Sequence, residues 1–243
     1  MKASQFLWLV CALAALMPGA ANAQAYQCRM PQVTEAPRIE QRGPARRLPV
    51  TGYTLALSWS PEFCKPREGQ RAHALQCSGR NGRFGMVVHG LWPNSGNSWP
   101  QWCGSRSGGA APRPTGAQIA GALCMMPSTR LAARQWAKHG SCMVPRPETY
   151  FKVTRILYDS LRFPDFDRLS RKDGLTAGDL REWFLVANPS WKGRRQAIGI
   201  KINQRGWLQE LRLCYNKRFM PTACDRGRFG PKDGTRVKIW RGL

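Results

Sequence analysis

Two histidines, His89 and His139, lie in local sequences that could carry out proton-transfer chemistry. His89 opens the segment His89–Pro93 (HGLWP), directly after an apolar run, and His139 stands between Lys138 and Gly140. Imidazole has an unperturbed pKa of about 6.5, which allows it to give or take a proton near neutral pH. Two histidines held at one site could therefore act as general acid and general base.

The residues that lead to His139 have a one-sided helical pattern. At 100° per residue, the polar side chains of residues 132–139 share one face, and Trp136 and the alanines share the other. The polar residues on that face are Arg134, Gln135, Lys138 and His139. An ordinary surface helix has the same pattern, so the chemical interpretation depends on the second histidine motif.

These motifs resemble those of the ribonuclease T2 family. His89–Pro93 matches the first family signature, and Arg134–Cys142 (RQWAKHGSC) matches the second, His-Glu-Trp-x-Lys-His-Gly-Thr/Ser-Cys, except at its first two positions. Tyr53–Cys64 is similar to the first core strand of the family, and Glu148–Tyr158 to the helix after the second signature. The resemblance covers most of residues 53–224.

The resemblance implies an endoribonuclease that cleaves single-stranded RNA with low or no sequence specificity, without a metal or other cofactor. His139 would be the base that removes the ribose 2′-OH proton, and His89 the acid that protonates the departing 5′ oxygen. The products would carry a 2′,3′-cyclic phosphate and then a 3′-phosphate. Lys138 would stabilise the charge that grows on the phosphate. DNA would not be cut, because it lacks the attacking hydroxyl.

Two positions depart from the family pattern. Gln135 stands in place of the usual glutamate, and Arg134 in place of the histidine before it. Arg134 can bind phosphate through its permanent charge, whereas Gln135 can donate a hydrogen bond but cannot act as a carboxylate. The alternative is therefore a catalytically impaired, cationic nucleic-acid-binding protein on the same scaffold. A protein that disturbs membranes has less support, because no candidate helix is strongly one-sided in charge.

Other residues are weaker candidates for substrate binding. Trp92 resembles the base-stacking residue of the family, but it could equally be one of several core tryptophans. Asn94 stands where the family sometimes has an acid that selects a base, so base preference stays open. His73 lies in an arginine-rich segment, matches no family position and is predicted to be solvated.

The net charge predicts a polyanionic partner. Lys and Arg number 38 against 14 Asp and Glu, which gives a formal charge of +24. Such an excess favours steered association that weakens as salt rises. It does not separate RNA from DNA, anionic lipid or acidic polysaccharide, and a role in solubility alone is also compatible with it.

The cysteines favour disulfides over a metal site. Setting aside Cys11 leaves an even number, which in an exported protein predicts up to four disulfides. A zinc site has less support, because the chain has no CxxC pair and only three histidines. The family resemblance implies the pairs Cys103–Cys142 and Cys64–Cys77; Cys214 and Cys224 are close enough for a local loop, which leaves Cys28 with Cys124.

The N-terminus has the pattern of a signal peptide over residues 1–23. Lys2 precedes the apolar run Phe6–Met17, and Ala21–Ala23 has the small-x-small pattern of a cleavage site. A short membrane anchor is the alternative interpretation. Residues 24–243 are then expected to form one ribonuclease domain, secreted or periplasmic, monomeric and not inserted into a membrane.

The strands and helices that must position the motifs are grouped along the chain and do not strictly alternate. Residues 29–49 are predicted to form an extended arm. Strands are predicted at Tyr53–Trp59, Phe84–Leu91, Ala197–Ile202, Leu208–Tyr215 and Arg236–Trp240; helices are predicted at Ala117–Cys124, Ser128–His139, Glu148–Leu161 and Thr176–Ala187. This order favours an α+β fold: a single disulfide-stabilised domain with a mainly antiparallel sheet packed against several helices.

Overall fold

An antiparallel sheet lies at the centre of the fold. The structure, a computed structural model, describes residues 25–105 and 109–241, and the predicted signal peptide lies outside these ranges. The strands are β1 (Ala25–Tyr26), β2 (Gly52–Trp59), β3 (Arg83–Phe84), β4 (Met86–Asn94), β5 (Ile198–Ile202) and β6 (Leu208–Asn216). Four of them form a sheet in the order β4-β2-β6-β5, and β1 pairs with β3. The predicted α+β class is confirmed.

Eight α-helices surround the sheet in the described part of the chain. They are α1 (Ser60–Cys64), α2 (Ala74–Cys77), α3 (Gly116–Ala122), α4 (Thr129–Lys138), α5 (Pro147–Asp159), α6 (Phe166–Leu169), α7 (Ala177–Ala187) and α8 (Arg226–Phe229). The predicted helices correspond to α3, α4, α5 and α7. Ser128 caps α4 through its hydroxyl, as the Ser/Thr signal predicts.

Two strand predictions need correction. The strand predicted at Phe84–Leu91 is β4, which runs from Met86 to Asn94 and continues past Leu91 because β2 pairs with it as far as Gly52. Residues 236–240 do not form a strand. They make two isolated bridges, Arg236 with Thr176 and Lys238 with Trp207, because the backbone meets a different neighbour at each end and never runs along one strand edge.

The core lies between the sheet and the helices that cover it. Leu55 and Leu57 on the central strand β2 are fully buried, and Trp136 of α4 is almost completely buried. Tyr150 of α5 joins the helices to the sheet, because its buried hydroxyl accepts from the Leu91 amide at 3.2 Å and donates to the Leu91 carbonyl. This packing holds α4 and α5 against β4, the strand that carries His89.

Four disulfides connect the elements. The pairs are Cys28–Cys124, Cys64–Cys77, Cys103–Cys142 and Cys214–Cys224, as expected. Cys103–Cys142 braces the end of α4, where the Trp102 amide also donates to the Lys138 carbonyl at 2.8 Å. Across residues 25–105 and 109–241, none of the helices has the length and apolar character needed to span a bilayer.

Candidate active site

His89 is placed by an irregularity in β4. Along the pairing with β2, Ala56 faces Gly90 and Leu57 faces Val88, so His89 is an extra residue with no partner of its own. An extra residue of this kind forms a β-bulge, which bends the strand and redirects a side chain. The bulge turns the His89 imidazole towards β6, across the central strand.

His89 pairs with a carboxylate that the sequence analysis did not single out. Its Nδ1 lies 2.7 Å from Oε1 of Glu210, a buried residue of β6. The other oxygen of Glu210 accepts from Arg212 at 3.1 Å, and Lys201 of β5 approaches it to 3.9 Å. Burial by itself would raise the pKa of Glu210, but the hydrogen bond from His89 and these positive charges lower that pKa to about 2. The carboxylate is therefore ionised at neutral pH.

A weak sequence signal for Glu210 exists in hindsight. Glu210 and Arg212 alternate with leucines in the predicted strand Leu208–Tyr215, and alternation places both on one face of the sheet. A charged pair on a strand with neighbours on both sides is unusual, because buried charges are costly unless they are paired. The partner itself, His89, is 121 residues away and could not be read from the strand.

His139 has an environment unlike that of His89. It follows the last residue of α4, and its side chain is buried, with 7% of its surface exposed. Its Nδ1 has no hydrogen-bond partner among the described residues. Burial, followed by the charges of Lys138, His89, Arg134 and Arg46, lowers the pKa of His139 to about 3. His139 is therefore neutral at physiological pH.

Trp92 lies between the two histidines. Its ring centroid is 5.1 Å from that of His89 and 5.8 Å from that of His139. The indole N–H donates to Oε1 of Gln135 at 2.7 Å. Gln135 is buried and thus serves as the acceptor that holds Trp92, a contact that local spacing did not predict.

Both histidines open onto one cleft, the catalytic cleft, of about 740 Å³. All seven residues that the sequence analysis proposed for catalysis or substrate binding line it: His89, Trp92, Asn94, Arg134, Gln135, Lys138 and His139. Partial burial, with the charges of Arg134 and Arg46, lowers the pKa of Lys138. The Asn94 side-chain amide donates to the Thr54 hydroxyl at 3.0 Å, so this hydrogen bond fixes its orientation in the cleft wall.

A second cleft of about 810 Å³ lies on the other side of His89. Glu210 also lines it, with four basic residues: Lys65, Arg67, Lys201 and Arg205. His73 lies here too, with its ring edge-on to Phe63 at 5.3 Å, so it is partly packed rather than simply solvated. His89 is thus the boundary between two clefts that carry mostly positive charge.

Comparison with known proteins identifies relatives of the chain. The model of the Ribonuclease T2 family matches residues 51–181, more than half of this chain, and ends before Glu210. A probable ribonuclease of Haemophilus influenzae is 32% identical over 198 residues, which cover 77% of this chain and 65% of that protein. A ribonuclease of Aeromonas hydrophila is 37% identical over 90 residues, which cover 37% of this chain and 36% of that protein. The chain thus spans less than two thirds of the length of either relative.

A solved structure is similar in fold. RNase NT in complex with 5′-AMP covers 79% of this chain and 98% of its own, with a TM-score of 0.54 and 18% sequence identity. At this identity the likeness concerns the arrangement of strands and helices.

Proposed function

The chain belongs to the ribonuclease T2 family, and we propose that it is an endoribonuclease that cleaves single-stranded RNA with His89 and His139 as its acid and base. One observation carries the proposal: two histidines from different elements face the same cleft, and one of them, His89, is held by a carboxylate. His139 is buried among positive charges, with its pKa lowered to about 3, whereas His89 is bound to the ionised carboxylate of Glu210. A neutral imidazole can take a proton, and an imidazole held by a carboxylate at one nitrogen has its other nitrogen left to give one.

The cleavage step follows from these states. Neutral His139 takes the proton of the ribose 2′-OH, and the 2′ oxygen forms a bond to phosphorus. The bond from phosphorus to the 5′ oxygen breaks, and His89 gives its proton to that oxygen. One product ends in a 2′,3′-cyclic phosphate and the other in a 5′-OH. In the second step, water opens the cyclic ester to a 3′-phosphate with the two roles exchanged.

Lys138 and Arg134 are the groups that stabilise the reacting phosphate. Both line the catalytic cleft, and neither forms an ion pair with a carboxylate in the part of the chain that the structure describes. Their charges are thus available to the two non-bridging oxygens, where negative charge grows during attack. Gln135 acts indirectly, because its carbonyl oxygen holds Trp92 against the ribose side of the cleft.

The positions of acid and base also orient the substrate. The nucleoside with the attacking 2′-OH must lie next to His139, in the catalytic cleft beside Trp92. The leaving nucleoside must lie next to His89, and we place it in the second cleft, which His89 also lines. Stacking on Trp92 tolerates different bases, and the Asn94 amide is engaged with Thr54, so low base specificity is expected.

Glu210 is proposed as the positioning residue for His89. Its ionised carboxylate accepts from Nδ1, which leaves Nε2 to carry the proton that is transferred. A carboxylate that orients a catalytic imidazole in this way fixes both tautomer and ring direction. Glu210 thereby places a negative charge beside His89, the acid. The family pattern instead has its glutamate on the helix, at the position that Gln135 occupies here.

Export and a monomeric state complete the proposal. Four disulfides are typical of an oxidising compartment, which together with the signal-peptide pattern of residues 1–23 supports a secreted or periplasmic protein. The proposed catalytic groups all come from one chain, so a monomer is sufficient for the reaction.

The proposal is tested with single-stranded RNA in excess EDTA. Wild-type protein is expected to produce 2′,3′-cyclic phosphate ends, because the mechanism uses no metal. His89→Phe and His139→Phe should each lower the rate by more than about a hundredfold, the usual scale of general acid–base catalysis. RNA that is bound but never cut would support the non-catalytic alternative. Near-normal cleavage by either variant would show that the histidine roles are wrong.

A further inference from the structure

A group of tryptophans and basic residues lies outside both clefts. Trp207, the residue before β6, and Trp240, near the end of the described chain, meet at 86° with their ring centroids 5.9 Å apart. Arg236 and Lys238 line the same groove, whose volume is about 570 Å³. We call Trp207, Arg236, Lys238 and Trp240 the basic aromatic patch.

The patch presents positive charge without paired carboxylates. Arg236 and Lys238 are exposed, and no Asp or Glu among the described residues forms an ion pair with either. Asp173 is the acidic side chain that lines this groove, and Lys172 beside it is engaged with Asp179 at 2.7 Å. Lys238 itself lies 5.7 Å from the ring centroid of Trp207. A groove with aromatic rings and with cations that no carboxylate neutralises has the two features that single-stranded nucleic acid needs, charge for phosphates and rings for bases.

Lys65 connects the patch with the second cleft. Its ammonium lies 3.5 Å from the ring centroid of Trp240 and 5.2 Å from that of Trp207, and the same residue lines the second cleft beside His89. Asn203, in the turn between β5 and β6, also spans the two sites: it lines the second cleft, and its side chain accepts from the Trp207 amide at 3.0 Å. The patch and the cleft are therefore neighbouring parts of one basic surface.

We propose that the basic aromatic patch binds single-stranded RNA on the 3′ side of the scissile bond. This rests on the proposed function, which places the leaving nucleoside in the second cleft. The chain that continues 3′ from that nucleoside leaves the cleft past Lys65 and reaches Trp207 and Trp240. Its phosphates contact Arg236 and Lys238, and its bases stack on the exposed parts of the two indoles. The patch thus extends substrate binding in one direction only.

The test uses oligodeoxynucleotides that contain a single ribonucleotide, because these have one cleavable bond. A short substrate is compared with substrates that carry a tail of about six deoxynucleotides on the 3′ or the 5′ side, a length within the range that single-strand sites engage. Wild type is compared with Arg236→Gln/Lys238→Gln. The matched control, Lys152→Gln/Lys192→Gln, removes two exposed charges that line neither cleft nor the patch.

For wild type and control, the 3′ tail is expected to raise kcat/KM roughly tenfold, the scale of a few stacking and phosphate contacts. In Arg236→Gln/Lys238→Gln this gain should largely disappear, while the short substrate is cut as before. The slope of log kcat/KM against log salt for the 3′-tailed substrate should become shallower by about 1.4, for two lost phosphate contacts. The slope does not depend on how much of the variant is folded.

Three results would overturn the inference while leaving the proposed function intact. The 3′ tail could give no gain, the 5′ tail could give the gain instead, or the patch variant could keep the gain unchanged. Loss of binding to anionic vesicles in the patch variant, with unaltered cleavage of tailed substrates, would also overturn it in favour of a lipid surface. Failure of wild type to cut any of the substrates would instead contradict the proposed function.

Discussion

At the scale of single residues, Gln135 determines the electrostatic surroundings of His139. Gln135 is buried, and its carbonyl oxygen receives the Trp92 N–H. Arg134 and Lys138 lie near the same end of α4 as His139, so a neutral side chain at position 135 leaves these two positive charges uncompensated. The low pKa of His139, about 3, follows first from its burial and then from these charges.

The first residue-scale prediction concerns Gln135→Glu. A carboxylate four residues before His139 favours the protonated imidazole and raises the pKa of His139. In wild type, His139 stays in its base form far below pH 6.5, so the acidic limb of kcat/KM should lie well below that pH. The variant should move this limb to higher pH. Gln135→Met is the control, because it removes the acceptor for Trp92 without adding charge.

An unchanged acidic limb in Gln135→Glu would place residue 135 outside the electrostatic reach of the base. A shift of the same size in Gln135→Met would instead assign the effect to the lost hydrogen bond with Trp92.

The second residue-scale prediction concerns Glu210→Gln. The amide can still contact His89 but presents no ionised acceptor to its Nδ1. The imidazole should therefore be oriented less well, and kcat should fall roughly tenfold or more while KM changes little, as when the partner that orients a functional histidine is lost. Glu182→Gln, which removes an exposed carboxylate of α7 from its pair with Arg195, is the control for net charge. Lower thermal stability with an unchanged kcat would reduce Glu210 to a structural role.

At the scale of elements, the site depends on how closely β4 approaches α4. Gly90 follows the bulged residue His89, and a Cβ on it would overlap the Gln135 side chain, whose Cδ would be 2.8 Å away. The glycine of the HGLWP motif is therefore needed for the contact between strand and helix, not for an unusual backbone angle.

Gly90→Ala is expected to move β4 away from α4 and to break the hydrogen bond between Trp92 and Gln135. Overpacking of this kind costs about 1–3 kcal/mol of unfolding free energy. A displacement near 1 Å at the reacting groups can lower the rate about a hundredfold. Gly121→Ala is the control: it lies in α3 with open space around it, so it should raise stability by about 1 kcal/mol without changing the kinetics. Wild-type kinetics for Gly90→Ala would contradict the close-approach explanation.

At the scale of the whole molecule, several of the basic residues behind the formal charge of +24 line the path that the substrate is proposed to follow. Arg134 and Lys138 line the catalytic cleft, Lys65 and Arg205 the second cleft, and Lys238 the groove beyond it. Because these sites adjoin, a polyanion can meet positive charge along its length. Excess charge spread at random over the surface would serve solubility equally well, but would not mark a path.

KM for single-stranded RNA should therefore rise steeply with salt. Each phosphate contact contributes a slope of about −0.7 in log affinity against log salt, so Arg134 and Lys138 alone give about −1.4. Arg134→Gln should make the slope shallower by about 0.7. DNA of the same sequence should bind with a similar slope and remain uncut, since it lacks the 2′-OH. A KM independent of salt would mean that the charge serves something other than substrate capture.

Local patterns in the sequence determined most of the secondary structure and the candidate site residues. The period of α4 predicted the shared face of Arg134, Lys138 and His139, and the strand patterns predicted β2, β5 and β6 within a residue or two. The two histidine motifs pointed to the family, and the resemblance gave two of the four disulfide pairs, Cys103–Cys142 and Cys64–Cys77. These features are local or carried by contiguous motifs, so a single stretch of chain contains the information.

Contacts between distant segments were decided only by the tertiary structure. The bulge at His89 depends on the register between β2 and β4, and its partner Glu210 reaches it from 121 residues away across the central strand. Residues 236–240 were predicted as a strand from their composition, but each of their bridges has a different partner. Register, pairing across a sheet and the packing of Trp207 on Trp240 depend on where the chain returns in space. Local sequence periodicity does not encode these long-range contacts, because the surfaces that form them meet only when the chain is folded.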